Sequence, residues 1–138
     1  LPVVAGSAMH QPSTAKLLSP AQLKGVCAES ASSPISESDA KLIAFTKEFR
    51  TRFHTEPDAF ALAQHDGINM VLEALKGGAE DAEGVRAWLA SHVFEGLAMT
   101  YKSDGKGNMA HDALIVCYDG TSRVPAVAKR FHNVDGVL

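Results

Sequence analysis

The spacing of apolar residues along the chain predicts strands and helices in alternation. Residues 1–6 (LPVVAG) and 25–30 (GVCAES) are short apolar runs with β-branched residues, which is typical of strands. Between residues 39 and 54, apolar residues recur at three- and four-residue steps opposite charged ones, which predicts an amphipathic helix. The connection at residues 7–24 contains two prolines, so only short helical pieces fit there.

The same reading predicts two more helices and a hairpin in the second half of the chain. A helix at about residues 58–76 ends at a Gly-Gly pair, and a shorter helix covers about residues 82–92. Residues 94–101 are predicted as one strand interrupted by a glycine. The segment KSDGKGN at 102–108 is typical of a hairpin tip, and ALIVCY at 113–118 of a buried strand. This mixture predicts an α/β layered architecture.

The ends of these elements are predicted from their local chemistry. Ser36 or Ser38 is expected to cap the helix that follows it, while Thr55 and Asp58 have capping-box spacing around a proline. The first strand is predicted to be buried because it is wholly apolar. The tail from residue 123 to 138 leaves room for one more short strand.

Composition narrows the class of protein. The chain has 138 residues, 46% of them apolar and 21% charged, with a formal charge of −3. This length allows one hydrophobic core but not two complete domains. The lack of a Lys/Arg cluster argues against a nucleic-acid partner, and the longest apolar run is too short to insert into a membrane. Small molecules or proteins are therefore the expected partners. The start on LPVV without Met leads us to expect a piece of a longer protein.

The two cysteines allow one disulfide. Cys27 and Cys117 lie in separate apolar strand-like runs and have no CxxC or Cys/His spacing. Because cysteine is often a small buried hydrophobe, the pattern favours buried free thiols, with a disulfide as the alternative.

Motifs for catalysis or metal binding are weak. The six histidines fall singly in different elements without HxH or HExxH spacing, so no metal site is predicted. Ser7 lacks the second half of a GxSxG nucleophile motif. His65 and Asp66 are adjacent on a predicted helix, where side chains point about 100° apart and make a poor catalytic pair. We expect Asp66 to bind a neighbouring loop and Gly67 to let another backbone pass close by.

One segment has the position of a ligand site. The turn from Gly6 to His10 follows the carboxyl end of a predicted strand, where open α/β sheets place their ligands. Ser7 and nearby backbone N–H groups are potential donors to a carboxylate. An ordinary strand-to-helix connection explains the same residues equally well.

The order of several stretches resembles a known family. LPVVAGSAM is followed by LLSPAQLKGV, FTKEFRTRFHTEPDAFALAQHDGINMVLEAL, VRAWLASHVFEGLAMTYKSDGKG and ALIVCYDG. Together they resemble the C-terminal part of a periplasmic solute-binding protein of ABC importers, of the branched-chain amino-acid (Leu/Ile/Val-binding) type. The resemblance implies a fragment of the bilobed type I periplasmic-binding-protein fold. Residues 1–54 would belong to the second lobe, 55–110 to the returning part of the first lobe with the hinge crossings, and 111–138 to the C-terminal strand and tail.

The resemblance also implies a function without catalysis. The two lobes would close on a small ligand, a branched-chain amino acid or an aromatic acid, and deliver it to an ABC permease, with no cofactor. Many relatives place an acidic side chain after the first strand, where this chain has Ser7-Ala8-Met9. His65 stands where tyrosine is typical. Ser7, Ala8, Met9 and His65 are therefore the predicted ligand-binding residues, and the missing acid favours an apolar or aromatic carboxylate.

Location and assembly follow from the same resemblance. A periplasmic protein is expected, with a signal peptide upstream of this fragment, and a fragment with unpaired strand edges is expected to form a dimer. Two alternative functions stay open on sequence alone. One is a ligand-sensing receptor domain of the same fold, and the other is a small α/β enzyme that uses His65 or Ser7.

Overall fold

Strands and helices follow one another in a computed structural model that describes residues 2–134. The strands are β1 (Val3–Ala5), β2 (Val26–Ser30), β3 (Val93–Glu95), β4 (Thr100–Ser103), β5 (Met109–Cys117) and β6 (Ala126–Val134). The helices are α1 (Pro12–Ala15), α2 (Pro20–Leu23), α3 (Ala40–Phe53), α4 (Ala59–Lys76) and α5 (Ala82–Ser91), and a 3-10 turn covers Ser7–His10. The predicted α/β architecture is confirmed.

The strands of the described region form one sheet in the order β1-β2-β5-β4-β3, with β6 also paired to β5. Only β1 and β2 are parallel, and the other pairs are antiparallel. β5 pairs with β4 at its start, through Met109 and Ala110. At its end it lies between β2 and β6, from Leu114 to Cys117. β5 therefore joins the β3–β4 hairpin to the strands formed by the beginning of the chain.

Two hydrophobic cores lie along this sheet, rather than the one core expected from the chain length. The first core contains Ala15, Leu23, Val26, Ala28, Leu114, Val116 and Tyr118, in two clusters that Met9 joins by packing against both. The second core contains Leu42, Leu62, Ala98 and Met99, with Phe45, Leu97 and Tyr101 packed against it. Leu42 belongs to α3, so α3 shares a core with α4 and the β3–β4 hairpin.

Aspartates, rather than the predicted serines, begin the long helices. Asp39 caps α3 by accepting two backbone N–H groups of the first turn, so neither Ser36 nor Ser38 is the cap. Asp58 is itself the N-cap of α4, which rules out the predicted capping box with Thr55. An ionised carboxylate at the N-cap adds a favourable charge interaction with the helix dipole, which a serine lacks.

Three strand predictions need correction. The single strand predicted at 94–101 is two hairpin strands, β3 and β4, joined by residues 96–99 and closed by a hydrogen bond from Gly96 N–H to Met99 O. β1 lies at the end of the described sheet, and Val4 is 78% exposed, so it is not a buried strand. The extra strand suggested for the tail exists as the nine-residue β6, while residues 135–138 lie outside the described region.

Cys27 and Cys117 form a disulfide, so the prediction of free thiols is wrong. The two residues are direct partners in the β2–β5 pairing, with their Cα atoms 4.1 Å apart. The reason lies in the register, which brings together residues 90 positions apart in sequence.

None of the helices within residues 2–134 is long and apolar enough to cross a membrane.

Candidate functional site

Asp66 fastens α4 to the connection between β3 and β4. Its side chain is 1% exposed and accepts hydrogen bonds from the backbone N–H groups of Leu97 and Ala98, both at 2.8 Å. The Tyr101 hydroxyl donates a third bond at 3.1 Å. Burial, and then the Asp66 carboxylate, raise the pKa of Tyr101, so its hydroxyl stays protonated as a donor. The expected loop contact of Asp66 is therefore confirmed.

The glycine that permits this close approach is Gly96 rather than Gly67. A Cβ on Gly96 would overlap Asp66 Oδ2 and lie 2.7 Å from Tyr101 Cε2. A Cβ on Gly67 would have no heavy atom within 4 Å. The expectation for Gly67 was therefore wrong, because a glycine next to Asp66 in sequence is not the one next to it in space.

His65 and Asp66 do meet, although they are neighbours on one helix. The distance from His65 Nδ1 to Asp66 Oδ1 is 3.3 Å, and the imidazole also meets the Phe45 ring edge-on, with centroids 5.2 Å apart. Both Asp66 oxygens already accept bonds from the hairpin. The carboxylate that would orient His65 in a catalytic dyad is thus engaged by the hairpin, and its 3.3 Å contact with Nδ1 is longer than an ordinary hydrogen bond.

The His65 side chain is 41% exposed and lines an open groove of about 520 Å³. The other lining residues are Lys41, Asp66, Asn69, Glu73, Trp88 and Val93 to Leu97. These residues come from α3, α4, α5, β3 and the connection between β3 and β4. None of the predicted ligand residues Ser7, Ala8 and Met9 is among them, so the structure does not bring them into this groove with His65.

The Ser7–His10 turn lies at the carboxyl end of β1. Ala8 is exposed and Ser7 is half-buried, so both keep contact with solvent. Met9 is half-buried and packs into the first core. Of the three predicted residues, Ser7 and Ala8 therefore present the accessible part of the turn.

A buried glutamine connects this turn to α4. Gln11 Nε2 donates to the carbonyl of Ser7 at 2.7 Å, and the backbone N–H of Ala59 donates to Gln11 Oε1 at 3.0 Å. Ala59 is the first residue of α4, whereas His65 lies six residues further along, about 9 Å at 1.5 Å per residue. The turn therefore faces the beginning of α4. Sequence reasoning missed Gln11, because a polar residue before a proline is an ordinary turn signal.

Within residues 2–134, no cluster of three or more His, Cys, Asp or Glu side chains has an arrangement suited to a metal ion. Near the beginning of α4, the Ala59 and Ala61 N–H groups are already bound by Gln11 and Asp58. The polar group that the turn offers to a ligand is therefore the hydroxyl of the half-buried Ser7, which can donate a hydrogen bond to a carboxylate.

Comparison with solved structures identifies the fold. The chain matches LivJ, the branched-chain amino acid transporter substrate binding protein of Streptococcus pneumoniae in complex with isoleucine, with a TM-score of 0.73 and 23% identity over 93% of this chain. It also matches the leucine binding protein LivK of Thermotoga maritima, with a TM-score of 0.75 and 15% identity over 94% of this chain. An ABC-transporter solute binding protein of R. palustris in complex with benzoate gives a TM-score of 0.76 and 15% identity over 94% of this chain.

The shared part is limited to a fraction of these proteins. This chain spans 37% of the S. pneumoniae protein, 37% of the T. maritima protein and 36% of the R. palustris protein. No protein-family model and no curated protein sequence matches the chain. The mixed sheet, the two cores and these structural matches agree on one conclusion. The described chain has the fold of one part of a type I periplasmic binding protein.

Proposed function

We propose that this chain is part of a solute-binding protein that captures a small carboxylate-bearing ligand and delivers it to the permease of an ABC importer, without chemistry on the ligand. The observation that carries the proposal is the Ser7–His10 turn facing the beginning of α4, on a fold shared with solute-binding proteins. A cleft between two cores is where closure around a solute would occur.

The chemistry of this junction suits a carboxylate. The N-terminus of α4 carries a partial positive charge that favours an anion, while its Ala59 and Ala61 N–H groups are bound by Gln11 and Asp58. Ser7 adds a hydroxyl on the facing turn. Isoleucine and benzoate, the ligands bound to two structural neighbours, both carry a carboxylate. In our proposal Ser7 and Ala8 contact the ligand directly, and Met9 holds the turn in place by packing against the first core. His65 contacts the ligand only if closure extends along α4.

We further propose an apolar or aromatic carboxylate rather than an amino acid. A ligand ammonium group would need a negatively charged hydrogen-bond acceptor, such as a carboxylate, and Ala8 provides none. An aromatic acid has no such requirement.

The packing supports a hinge just before α3, rather than the boundary at 54/55 that the resemblance implied. α3 shares the second core with α4, so residues 31–39 form the connection between the two cores. In our proposal this connection and β5 are the crossings around which the lobes move. Arg130 on β6 binds both Glu37 in the connection and Asp112 on β5, which ties the crossings together.

The disulfide supports the proposed periplasmic location. Disulfides persist in oxidising compartments such as the bacterial periplasm and are rare in the cytosol. The Cys27–Cys117 bond therefore fits an exported protein independently of the fold. A signal peptide upstream stays a prediction.

A thermal-shift series tests ligand capture. At about 100 times Kd a ligand adds ~2.7 kcal/mol of stability by mass action, which corresponds to roughly 5–10 °C in Tm. We expect benzoate to raise Tm, isoleucine to raise it less, and benzamide, which lacks the carboxylate, to have no effect. Ala8→Asp should reverse the order of benzoate and isoleucine. Ala87→Asp, which makes the same substitution at an exposed position of α5, is the matched control and should leave the order unchanged.

Two results would contradict these proposals separately. Stabilisation by isoleucine above benzoate in the unmodified protein would refute the aromatic preference while leaving carboxylate capture intact. Equal responses to benzoate and benzamide, or none to any compound, would refute carboxylate capture itself.

We also propose that the 138-residue chain on its own associates with a second copy through α4. Five apolar residues along one stripe of this helix are each at least 41% exposed: Phe60, Ile68, Val71, Leu72 and Leu75. Covering such a stripe is favourable by roughly 25 cal/mol per Å² of apolar surface. We expect a dimer mass by light scattering at micromolar concentration and a monomer mass for Ile68→Glu. An unmodified chain that stays monomeric would refute this arrangement.

A further inference from the structure

Gln11 is a buried contact between the two cores. Its side chain is 3% exposed and uses both ends of its amide. Oε1 accepts from the Ala59 N–H at 3.0 Å, and Nε2 donates to the Ser7 carbonyl at 2.7 Å. Ala59 N–H is one of the first-turn N–H groups of α4 that have no partner inside the helix. Gln11, which lies beside the first core, therefore supplies the hydrogen-bond acceptor that the first N–H group of α4 lacks within its own helix.

His10 completes this contact. The residue is 2% exposed, and its Nε2 lies 3.3 Å from Gln11 Nε2. The Ala59 N–H requires an oxygen, which fixes the orientation of the Gln11 amide and leaves its NH₂ group facing Ser7 and His10. An NH₂ group only donates, so His10 Nε2 must accept and cannot carry a proton. The imidazole is thus neutral, with its hydrogen on Nδ1.

We propose that His10 and Gln11 form a proton-sensitive latch, which holds the Ser7–His10 turn against the beginning of α4 while His10 is neutral and releases it when His10 is protonated. In the imidazolium, Nε2–H would point at the NH₂ group of Gln11, so two donors would face each other in a buried space. The latch itself depends only on the contacts of His10 and Gln11 described above. Its effect on ligand affinity rests on the function proposed above.

The surroundings of His10 determine the pH at which the turn is released, and this pH lies below neutrality. Burial lowers the pKa of His10 below 6.5, and this effect outweighs a backbone hydrogen bond and the carboxylates of Glu29 on β2 and Asp58 at the N-cap of α4, which raise it. As pH falls below 6.5 the unfolded chain binds the proton first, so stability from neutral His10 is lost from 6.5 down to the folded-state pKa. Below that pKa both states are protonated and the loss is complete.

Three variants separate the latch from a merely structural contact. His10→Gln puts a carbonyl oxygen near the position of Nε2 and cannot titrate. Gln11→Glu keeps an acceptor for Ala59 and offers its second oxygen to a protonated His10, so it should reverse the pH dependence. His54→Asn is the control, because His54 is exposed and lies in the left-handed conformation that asparagine tolerates.

The experiment is hydrogen exchange of the Ala59 amide by NMR between pH 8 and pH 4, expressed as a protection factor, on purified ligand-free protein. Loss of one hydrogen bond should lower protection about tenfold as His10 titrates, since that factor corresponds to roughly 1.4 kcal/mol. We expect this fall in the unmodified protein and in His54→Asn, no fall in His10→Gln, and a rise in Gln11→Glu. The ¹⁵N shifts of His10 should show Nδ1 protonated at pH 8.

The same pH dependence of Ala59 protection in His10→Gln and in the unmodified protein would overturn the latch, as would a proton on Nε2 of His10 at pH 8. Because this readout uses no ligand, it stands or falls separately from the thermal-shift series. Benzoate binding without the Ala59 response would refute the latch and leave ligand capture intact, whereas the Ala59 response without any ligand binding would do the opposite.

Discussion

Replacing Asp66 by alanine is expected to lower the free energy of unfolding by about 3–5 kcal/mol. The carboxylate accepts the N–H groups of Leu97 and Ala98 and the hydroxyl of Tyr101 at a 1% exposed position. Without it, these donors stay buried without partners, at roughly 1–3 kcal/mol for each unsatisfied group. The β3–β4 hairpin also loses its attachment to α4. Urea denaturation followed by circular dichroism measures the effect.

Two further variants show whether the loss comes from the hydrogen bonds. Tyr101→Phe removes one donor and should cost about 1 kcal/mol. Gln64→Ala changes an exposed polar residue of α4, two positions before Asp66, and should stay within about 0.5 kcal/mol of the unmodified protein. If Asp66→Ala were no more destabilising than Gln64→Ala, the role of Asp66 as the anchor of the hairpin would be wrong.

Breaking the disulfide is expected to have an effect of similar size. Cys27 and Cys117 close a loop with a sequence separation of 90, and the chain-entropy relation gives about 4–5 kcal/mol of stabilisation for a loop of this length. The bond also holds β2 in register with β5, the two strands that supply Val26, Ala28, Leu114 and Val116 to the first core. A reducing agent should therefore move the urea midpoint of the unmodified protein to a lower concentration.

The double variant Cys27→Ala, Cys117→Ala provides the control for this experiment. It should unfold at the low midpoint and show no response to the reducing agent. Two free thiols in the unreduced, denatured protein would contradict the disulfide directly, and so would identical midpoints with and without the reducing agent.

The helices could be predicted because their causes are local. Each signal lies within or next to the helix that it predicts. The apolar residues spaced by three and four between 39 and 54 mark α3, and the two glycines after residue 76 mark the end of α4. The caps were harder to predict because several acceptors stand near each helix start. Asp39 and Asp58 prevailed over Ser36 and Thr55 by adding charge to hydrogen bonding.

The disulfide and the glycine contact could not be predicted, because their causes are not local. Cys27 meets Cys117 only after β2 and β5 pair in one particular register. Gly96 has to be a glycine only because Asp66 approaches it from a different helix. The loop contact expected of Asp66 is present, and its burial explains it, because a buried acid on an apolar helix needs donors from outside that helix.

The predicted ligand residues Ser7, Ala8 and Met9 follow the end of the first strand, and their role, like that of His65, stays a prediction. What the sequence did not indicate is the partner of that turn. A glutamine that caps a helix 48 positions later has no signature of its own, and His10 was one of six scattered histidines. Only the folded arrangement shows that these two residues share one buried network.

The course of β5 determines how the chain is assembled. The second core is built from one continuous stretch, roughly residues 40–103, whereas the first core is discontinuous and needs both ends of the described chain. Within these residues β1 and β2 are synthesised before the second core, but their own core cannot close until β5 has been made, about eighty residues later. The segment between β2 and β5 is thus an insertion in the first core, and of the two cores the second is the one whose residues have all been synthesised earlier.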